Sequence, residues 1–190
     1  MWPLLTCSLI SLTIIIERAV FWARQRRQPA LMDEIFRLTE AGSFEEALTR
    51  ARSGRDAAVR TLAAGLASRR HGLTEGMEVA AAEEVDRQKR GLGILDTIIT
   101  LSPLLGIFGT VTGIIQAFDF LSLKGVPDPQ AVTSGIAEAL ITTAAGLTVA
   151  LMTLIPYNAY VHRVERSAKI LGQIGTQFEM AYKQGLDHAG

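Results

Sequence analysis

Residues 97–118 read TIITLSPLLGIFGTVTGIIQAF, an uncharged stretch bounded by an aspartate at each end. A helix that crosses a bilayer needs about 20 predominantly apolar residues, so this stretch is long enough to span one. Two other apolar stretches, residues 1–23 (interrupted by one Glu-Arg pair) and residues 139–161, have comparable length. The sequence therefore predicts an all-α membrane protein with three transmembrane helices.

The composition excludes several functional classes. The 190 residues include 19 basic and 19 acidic side chains, so the chain has no net charge and is not expected to bind nucleic acid. The single cysteine, Cys7, cannot form a disulfide or a multi-cysteine metal site within the chain, and His71, His162 and His188 are not at metal-ligand spacing. We expect no cofactor and no enzymatic activity.

Basic residues cluster beside each predicted span, and cytoplasmic segments carry the excess of Lys and Arg. The short segment 121–130, in contrast, contains only Lys124. This pattern predicts that the N-terminus and the short loop lie outside and the remaining polar chain lies in the cytoplasm. A cleaved secretion signal is the alternative for the first stretch, but no Lys or Arg precedes Arg18. The clusters are Arg24, Arg26 and Arg27; Arg87, Lys89 and Arg90; Arg163, Arg166 and Lys169.

The predicted organisation has six segments. They are a transmembrane helix at 1–23, a cytoplasmic helical region at 24–90, a second transmembrane helix at 91–122, a periplasmic loop at 123–130, a third transmembrane helix at 131–161 and a cytoplasmic C-terminal helix at 162–190.

The cytoplasmic region is expected to begin with a helical hairpin. A helix over residues 31–41 would end at Gly42, and Ser43 with Glu46 has the pattern of a capping box that begins the next helix. These two helices would form an antiparallel hairpin.

Further helices complete the cytoplasmic part. One is expected over residues 55–70, and Thr74 is expected to cap a long helix that leads to the second span. After the third span, apolar residues recur at helical spacing and form a stripe that must pack on other helices. The stripe consists of Val164, Ala168, Leu171, Phe178 and Tyr182.

Glu138 begins the third apolar stretch, and an ionisable side chain at bilayer depth is a functional candidate by default. If Asp119 and Asp128 mark the outer surface, a rise of about 1.5 Å per residue places Thr110 about 13 Å and Glu138 about 15 Å below it. Counting back from Arg163 across about 30 Å instead places Glu138 near the outer interface. In the buried case the low dielectric disfavours the carboxylate, so Glu138 would be able to carry a proton.

Polar and small side chains recur on the two inner spans and indicate a hydrated, closely packed seam. Threonine in a span also commonly bonds to its own helix backbone, so a packing role for each threonine stays open. Bends are expected at Pro103 and Pro156. The polar residues are Thr110, Thr112, Gln116, Thr133, Ser134, Glu138, Thr142, Thr143 and Thr148, and the expected packing glycines are Gly106, Gly109, Gly113 and Gly146.

Two long motifs resemble the ExbB/TolQ/MotA proton-channel family. They are SPLLGIFGTVTG at 102–113 and GIAEALITTAAGL at 135–147, followed by Tyr157-Asn158. The order of the spans and the long cytoplasmic insertion also match, so the resemblance covers nearly the whole chain. The three spans place it closest to the ExbB/TolQ branch, because a MotA-type stator has four.

The resemblance implies a ring of five copies in the bacterial inner membrane, with the second and third spans lining a pore. The pore would enclose the single-span helices of an ExbD- or TolR-like partner bearing an essential aspartate, and proton flow would drive a TonB- or TolA-like protein. By motif, Thr110 and Thr143 match the pore threonines of the family and Glu138 matches its glutamate. Relatives can carry alanine at the position of Thr142.

The chain departs from the family pattern at two positions. Ser102 stands where alanine is usual, and Pro156 directly precedes Tyr157, which shifts the expected kink. Two alternatives remain open: a motility-type stator subunit, and a non-conducting membrane scaffold whose polar seam only holds helices together.

Overall fold

The computed structural model describes residues 2–25, 27–124 and 129–189, which form seven helices. The chain divides into two compact units, which we call the span unit (residues 1–19 and 91–160) and the polar unit (residues 20–90 and 161–190). The helices are α1 (Trp2–Arg24), α2 (Pro29–Glu40), α3 (Phe44–Arg52), α4 (Ala57–Ser68), α5 (Leu73–Lys89), α6 (Leu92–Lys124) and α7 (Pro129–Ala189).

Three helical stretches among the described residues are long and apolar enough to cross a membrane. They lie in α1, within residues 73–119 and within residues 133–188. The predicted all-α architecture with three apolar membrane helices is therefore confirmed.

Both inner spans belong to helices that are longer than the apolar stretches themselves. Helix α7 runs for 61 residues, so the predicted third span and the predicted C-terminal helix belong to one continuous helix, as expected for a span with a long helical extension. Of the predicted loop 123–130, residues 123–124 belong to α6 and residues 129–130 belong to α7, whereas residues 125–128 lie outside the described residues.

Each inner span contains a proline that the helix continues through, Pro103 in α6 and Pro156 in α7. Proline has no amide hydrogen, so it cannot bond the carbonyl four residues earlier. The carbonyls of Ile99 and Met152 therefore lack their usual intrahelical donor.

The turn between α2 and α3 differs from the predicted capping box. Gly42 has a φ of 74°, a left-handed conformation that glycine adopts without strain, and it ends α2 as expected. Ser43 is the residue before α3, but its side chain caps no amide among the described residues. Its ψ of 58° is not the extended value of a capping residue, so the predicted capping box is wrong.

The beginnings of α4 and α5 also differ from prediction. Asp56 caps α4, because its carboxylate accepts a hydrogen bond of 3.2 Å from the amide of Ala58. The residue that precedes α5 is Gly72, and Thr74 lies within the first turn, so the predicted Thr74 cap is wrong. Cap positions depend on the local backbone angles, which the sequence pattern does not specify.

The core of the polar unit confirms that the C-terminal stripe of α7 packs on other helices. Phe178 is fully buried among residues of α2, α3 and α4, and its ring meets the ring of Phe36 edge-on at 5.2 Å between centroids. Leu171 is buried with Ala57 and Ala58, at the start of α4. The end of α7 thus completes the core that α2–α5 begin.

An ion pair ties α4 to α5. The Arg60 guanidinium donates to both carboxylate oxygens of Glu84, at 2.7 and 2.6 Å, and the Glu84 side chain is almost fully buried. The hydrogen bond with Glu84 raises the pKa of Arg60 above its usual value. This two-point geometry fixes the register between the two helices.

Replacing Phe178 with alanine is expected to lower the free energy of unfolding by about 3–5 kcal/mol, because the ring is fully buried and its removal leaves a cavity. Denaturant unfolding of the detergent-solubilised protein measures this loss. Met180→Ala is the control on the same helix, because Met180 is 60% exposed. Equal losses in the two variants would contradict the assigned packing.

Candidate functional site

The candidate site is the seam between α6 and α7 within the span unit. Residue pairs across the seam run in opposite directions along the chain, from Ala117 with Gly135 to Ser102 with Gly146, so the two helices are antiparallel. Small residues let the backbones approach closely. A Cβ atom placed on Gly146 would lie only 2.5 Å from the backbone oxygen of Ser102.

The structure places the other predicted packing glycines of α6 in the same seam. A Cβ on Gly106 would lie 3.1 Å from the Cα of Thr143. A Cβ on Gly109 would lie 2.3 Å from the Cγ2 of Thr142, and one on Gly113 would lie 2.9 Å from the Cβ of Ala139. Each glycine therefore makes room for a specific residue of α7.

Thr110 and Thr143 meet in the middle of this seam. Thr110 Oγ1 donates to the Ala139 carbonyl of the opposite helix at 3.1 Å, and Thr143 Oγ1 donates to the Gly106 carbonyl at 3.0 Å. The two hydroxyls also contact each other directly. We call this reciprocal arrangement the threonine clasp. It brings together, across two helices, the pair of threonines that the sequence singled out.

Glu138 lies beside the clasp. Because Thr110 bonds to Ala139, the residue after Glu138, the structure places Thr110 and Glu138 at one level along the seam. The Glu138 side chain is exposed on the surface of the single chain. Thr142 is buried, and its hydroxyl donates to the Glu138 backbone carbonyl at 3.0 Å.

Polar side chains lie on one flank of the helix pair. On α7, Ser134 and Glu138 are four residues apart and both are exposed; on α6, Thr112 is half-buried and Gln116, four residues later, is exposed. At about 100° per residue, all four project to the same side of the antiparallel pair. We call this set (Thr112, Gln116, Ser134 and Glu138) the polar flank. In a bilayer such a face needs polar surroundings.

The end of the seam near Asp96 holds interactions that the sequence pattern did not reveal. The Tyr160 hydroxyl donates to the Ile15 carbonyl of α1 at 2.9 Å, which attaches α1 to α7. The side chains of Asp96 on α6 and Tyr157 on α7 lie close enough to interact electrostatically. Periodicity marks helices and their apolar faces, but it does not say which tyrosine reaches which neighbour.

A family model described as the MotA/TolQ/ExbB proton channel family matches residues 52–173, more than half of the chain. The chain belongs to this family. The matched region includes the described seam between α6 and α7.

Individual relatives agree with this assignment. An ExbB-like biopolymer transport protein of Synechocystis sp. is 35% identical over 195 residues, which cover 97% of this chain and 75% of the relative. The biopolymer transport protein ExbB of Salmonella typhimurium is 36% identical over 98 residues, 52% of this chain and 40% of the relative. The Tol-Pal system protein TolQ of Pseudomonas aeruginosa is 39% identical over 94 residues, 50% of this chain and 41% of the relative. These names place the chain in the ExbB/TolQ branch.

Proposed function

We propose that this chain is the channel-forming subunit of an inner-membrane complex that uses the proton motive force to do work. Its partners would be an ExbD- or TolR-like single-span protein and a TonB- or TolA-like protein that transmits the work. Membership of the proton channel family and the similarity to ExbB and TolQ proteins support this proposal. Transport through the envelope or maintenance of the envelope is the expected output.

The polar flank is the observation that carries the proposal. A carboxylate, an amide and hydroxyls that face acyl chains would cost several kcal/mol, so another surface must cover them. A ring of identical copies, each turning its polar flank inward, covers all of them at once and encloses a hydrated lumen. We propose five copies, with the partner's helices inside the lumen.

Each site residue has a proposed role in this lumen. Glu138 is the group that binds and releases the proton, because it is the carboxylate of the flank. Thr110 and Thr143 place hydroxyls that both donate and accept hydrogen bonds at the level of Glu138. Thr142 holds the turn of α7 that carries Glu138, through its bond to the Glu138 carbonyl.

Proton flow down the membrane potential releases enough energy to shift a partner helix between two positions. One proton that crosses a potential of 100 mV releases about 2.3 kcal/mol. That energy would shift a two-state equilibrium of a partner helix by roughly fiftyfold. The chain would thus supply the path, and the partner would supply the moving part.

The proposed topology places the N-terminus in the periplasm and the C-terminus in the cytoplasm. The basic residues beside each span would then lie on the cytoplasmic side, as the distribution of Lys and Arg requires. The polar unit, including an α2–α3 hairpin, would be cytoplasmic.

Acid-driven proton flux in proteoliposomes tests the proposed function. We expect flux when the chain is reconstituted with its ExbD- or TolR-like partner, at a level well above that of empty vesicles and of vesicles with the partner alone. If a correctly assembled complex gave no more flux than these control vesicles, the non-conducting scaffold would be favoured instead. Flux that drives rotation of a flagellar motor would favour the motility-type stator.

A further inference from the structure

Ser102 is a buried polar side chain that has no role in the proton path proposed above. It is fully buried in the seam, and its hydroxyl has no hydrogen-bond partner among the described residues. Other buried hydroxyls of the span unit are bonded to backbone carbonyls: Ser11 to Ser8, Thr142 to Glu138 and Thr153 to Val149. Ser102 therefore differs from these three residues, because its buried hydroxyl has no carbonyl partner among the described residues.

An unbonded hydroxyl at such a site has a thermodynamic cost. Burial without a hydrogen bond is unfavourable for a hydroxyl, and alanine would fill nearly the same volume without that cost. A purely structural seam gains nothing from this hydroxyl. Its presence points to a hydrogen-bond partner, such as a bound water molecule, in the working protein.

The same turn of α6 supplies a second polar atom. Pro103 follows Ser102 and cannot donate to the carbonyl of Ile99, which is left without its usual helical donor. A water molecule needs two or more polar partners to be held in a protein interior. The Ser102 hydroxyl and the Ile99 carbonyl are two such groups, three residues apart.

The position of Ser102 along the helix connects two parts of the seam. Ser102, Gly106 and Thr110 follow one another at intervals of four residues, so Ser102 lies on the same face of α6 as the threonine clasp, about 12 Å further along the axis. The Asp96–Tyr157 pair lies at a level about 9 Å beyond Ser102. Ser102 thus lies between the clasp and the end of the seam near Asp96.

We propose that Ser102 binds a water molecule and is a positioning residue for the inward half of the proton path, an inference that rests on the proposed function. The water accepts a hydrogen bond from the Ser102 hydroxyl and donates one to the Ile99 carbonyl. A proton arriving from the clasp is passed to this water, and a different proton leaves it towards Asp96. Ser102 itself ends each cycle unchanged.

The test compares Ser102→Ala with Ser11→Ala, which removes a buried serine hydroxyl of the same unit that is bonded to its own helix. In proteoliposomes with the partner, we expect Ser102→Ala to reduce flux about tenfold, the effect of losing one hydrogen bond worth about 1.4 kcal/mol. Its melting temperature should stay close to that of the wild type. Ser11→Ala should conduct normally.

A high-resolution map of the assembled complex provides an independent readout. It should show a water molecule within hydrogen-bond distance of Ser102 Oγ in the wild type, and none at that place in Ser102→Ala. Unchanged flux in Ser102→Ala, or a dry Ser102 in the wild-type map, would overturn the inference. If the wild type itself fails to conduct, the proposed function falls, and the map alone then decides whether Ser102 holds water.

Discussion

Replacing Gly146 with alanine is expected to destabilise the protein by about 1–3 kcal/mol and to prevent normal assembly. The added methyl group would lie 2.5 Å from the Ser102 carbonyl oxygen and 3.0 Å from the Gly106 Cα, both of which are backbone atoms. Backbone atoms of a helix cannot rotate away, so α6 and α7 must separate. The threonine clasp, which depends on the same close approach, would then be broken.

Gly172 offers a matched control on the same helix. A Cβ on Gly172 meets nothing within 4 Å, so Gly172→Ala adds the same methyl group without a clash. In the middle of an α-helix this change is expected to stabilise the protein by up to about 1 kcal/mol. Compared with the wild type, the melting temperature should therefore fall in Gly146→Ala and rise in Gly172→Ala. The size-exclusion profile should be altered in Gly146→Ala alone. A harmless Gly146→Ala would show that the seam is looser than described.

Replacing Glu138 with glutamine is expected to reduce proton flux by about 100-fold or more while the protein still assembles. Glutamine has nearly the same shape but cannot bind and release a proton at this position. Glu138 is exposed on the single chain, so its replacement removes no contact within the buried core. Loss of flux with normal assembly would thus separate a chemical role from a structural one.

Glu165→Gln is the control for this variant. Glu165 also lies on α7 and its side chain is 68% exposed, but it lies outside the apolar stretch 139–161, about one turn of helix beyond its end. We expect normal flux from Glu165→Gln. Similar flux in Glu138→Gln and in the wild type would remove Glu138 from the path and leave the polar flank without a titrating group.

The elements that the sequence predicted well are those set by local periodicity. Residues 97–118 and 139–161 are long uncharged stretches, and a helix satisfies the backbone groups of such a segment within the segment itself. The stripe that includes Leu171 and Phe178 repeats at helical spacing, and the structure buries both residues.

Details that depend on individual backbone angles or on distant contacts were not predictable in this way. The Ser43 capping box has the right residue types, but the ψ angle at Ser43 is not extended and its side chain makes no capping hydrogen bond among the described residues. The bond from Tyr160 to Ile15 joins residues far apart in the chain, and the unbonded hydroxyl of Ser102 is visible only when both helices are in place. The threonine clasp was predicted in part, because the motif identified Thr110 and Thr143 but did not specify the hydrogen bonds that they make.

The most direct test of the account is a side-chain-resolution map of the ring assembled with its single-span partner in a lipid bilayer. We expect Glu138 of every copy to face a central hydrated lumen, together with Thr112, Gln116 and Ser134, and the partner's helix to lie within reach. Glu138 side chains that point at acyl chains or lipid headgroups, with no polar lumen at their level, would contradict it.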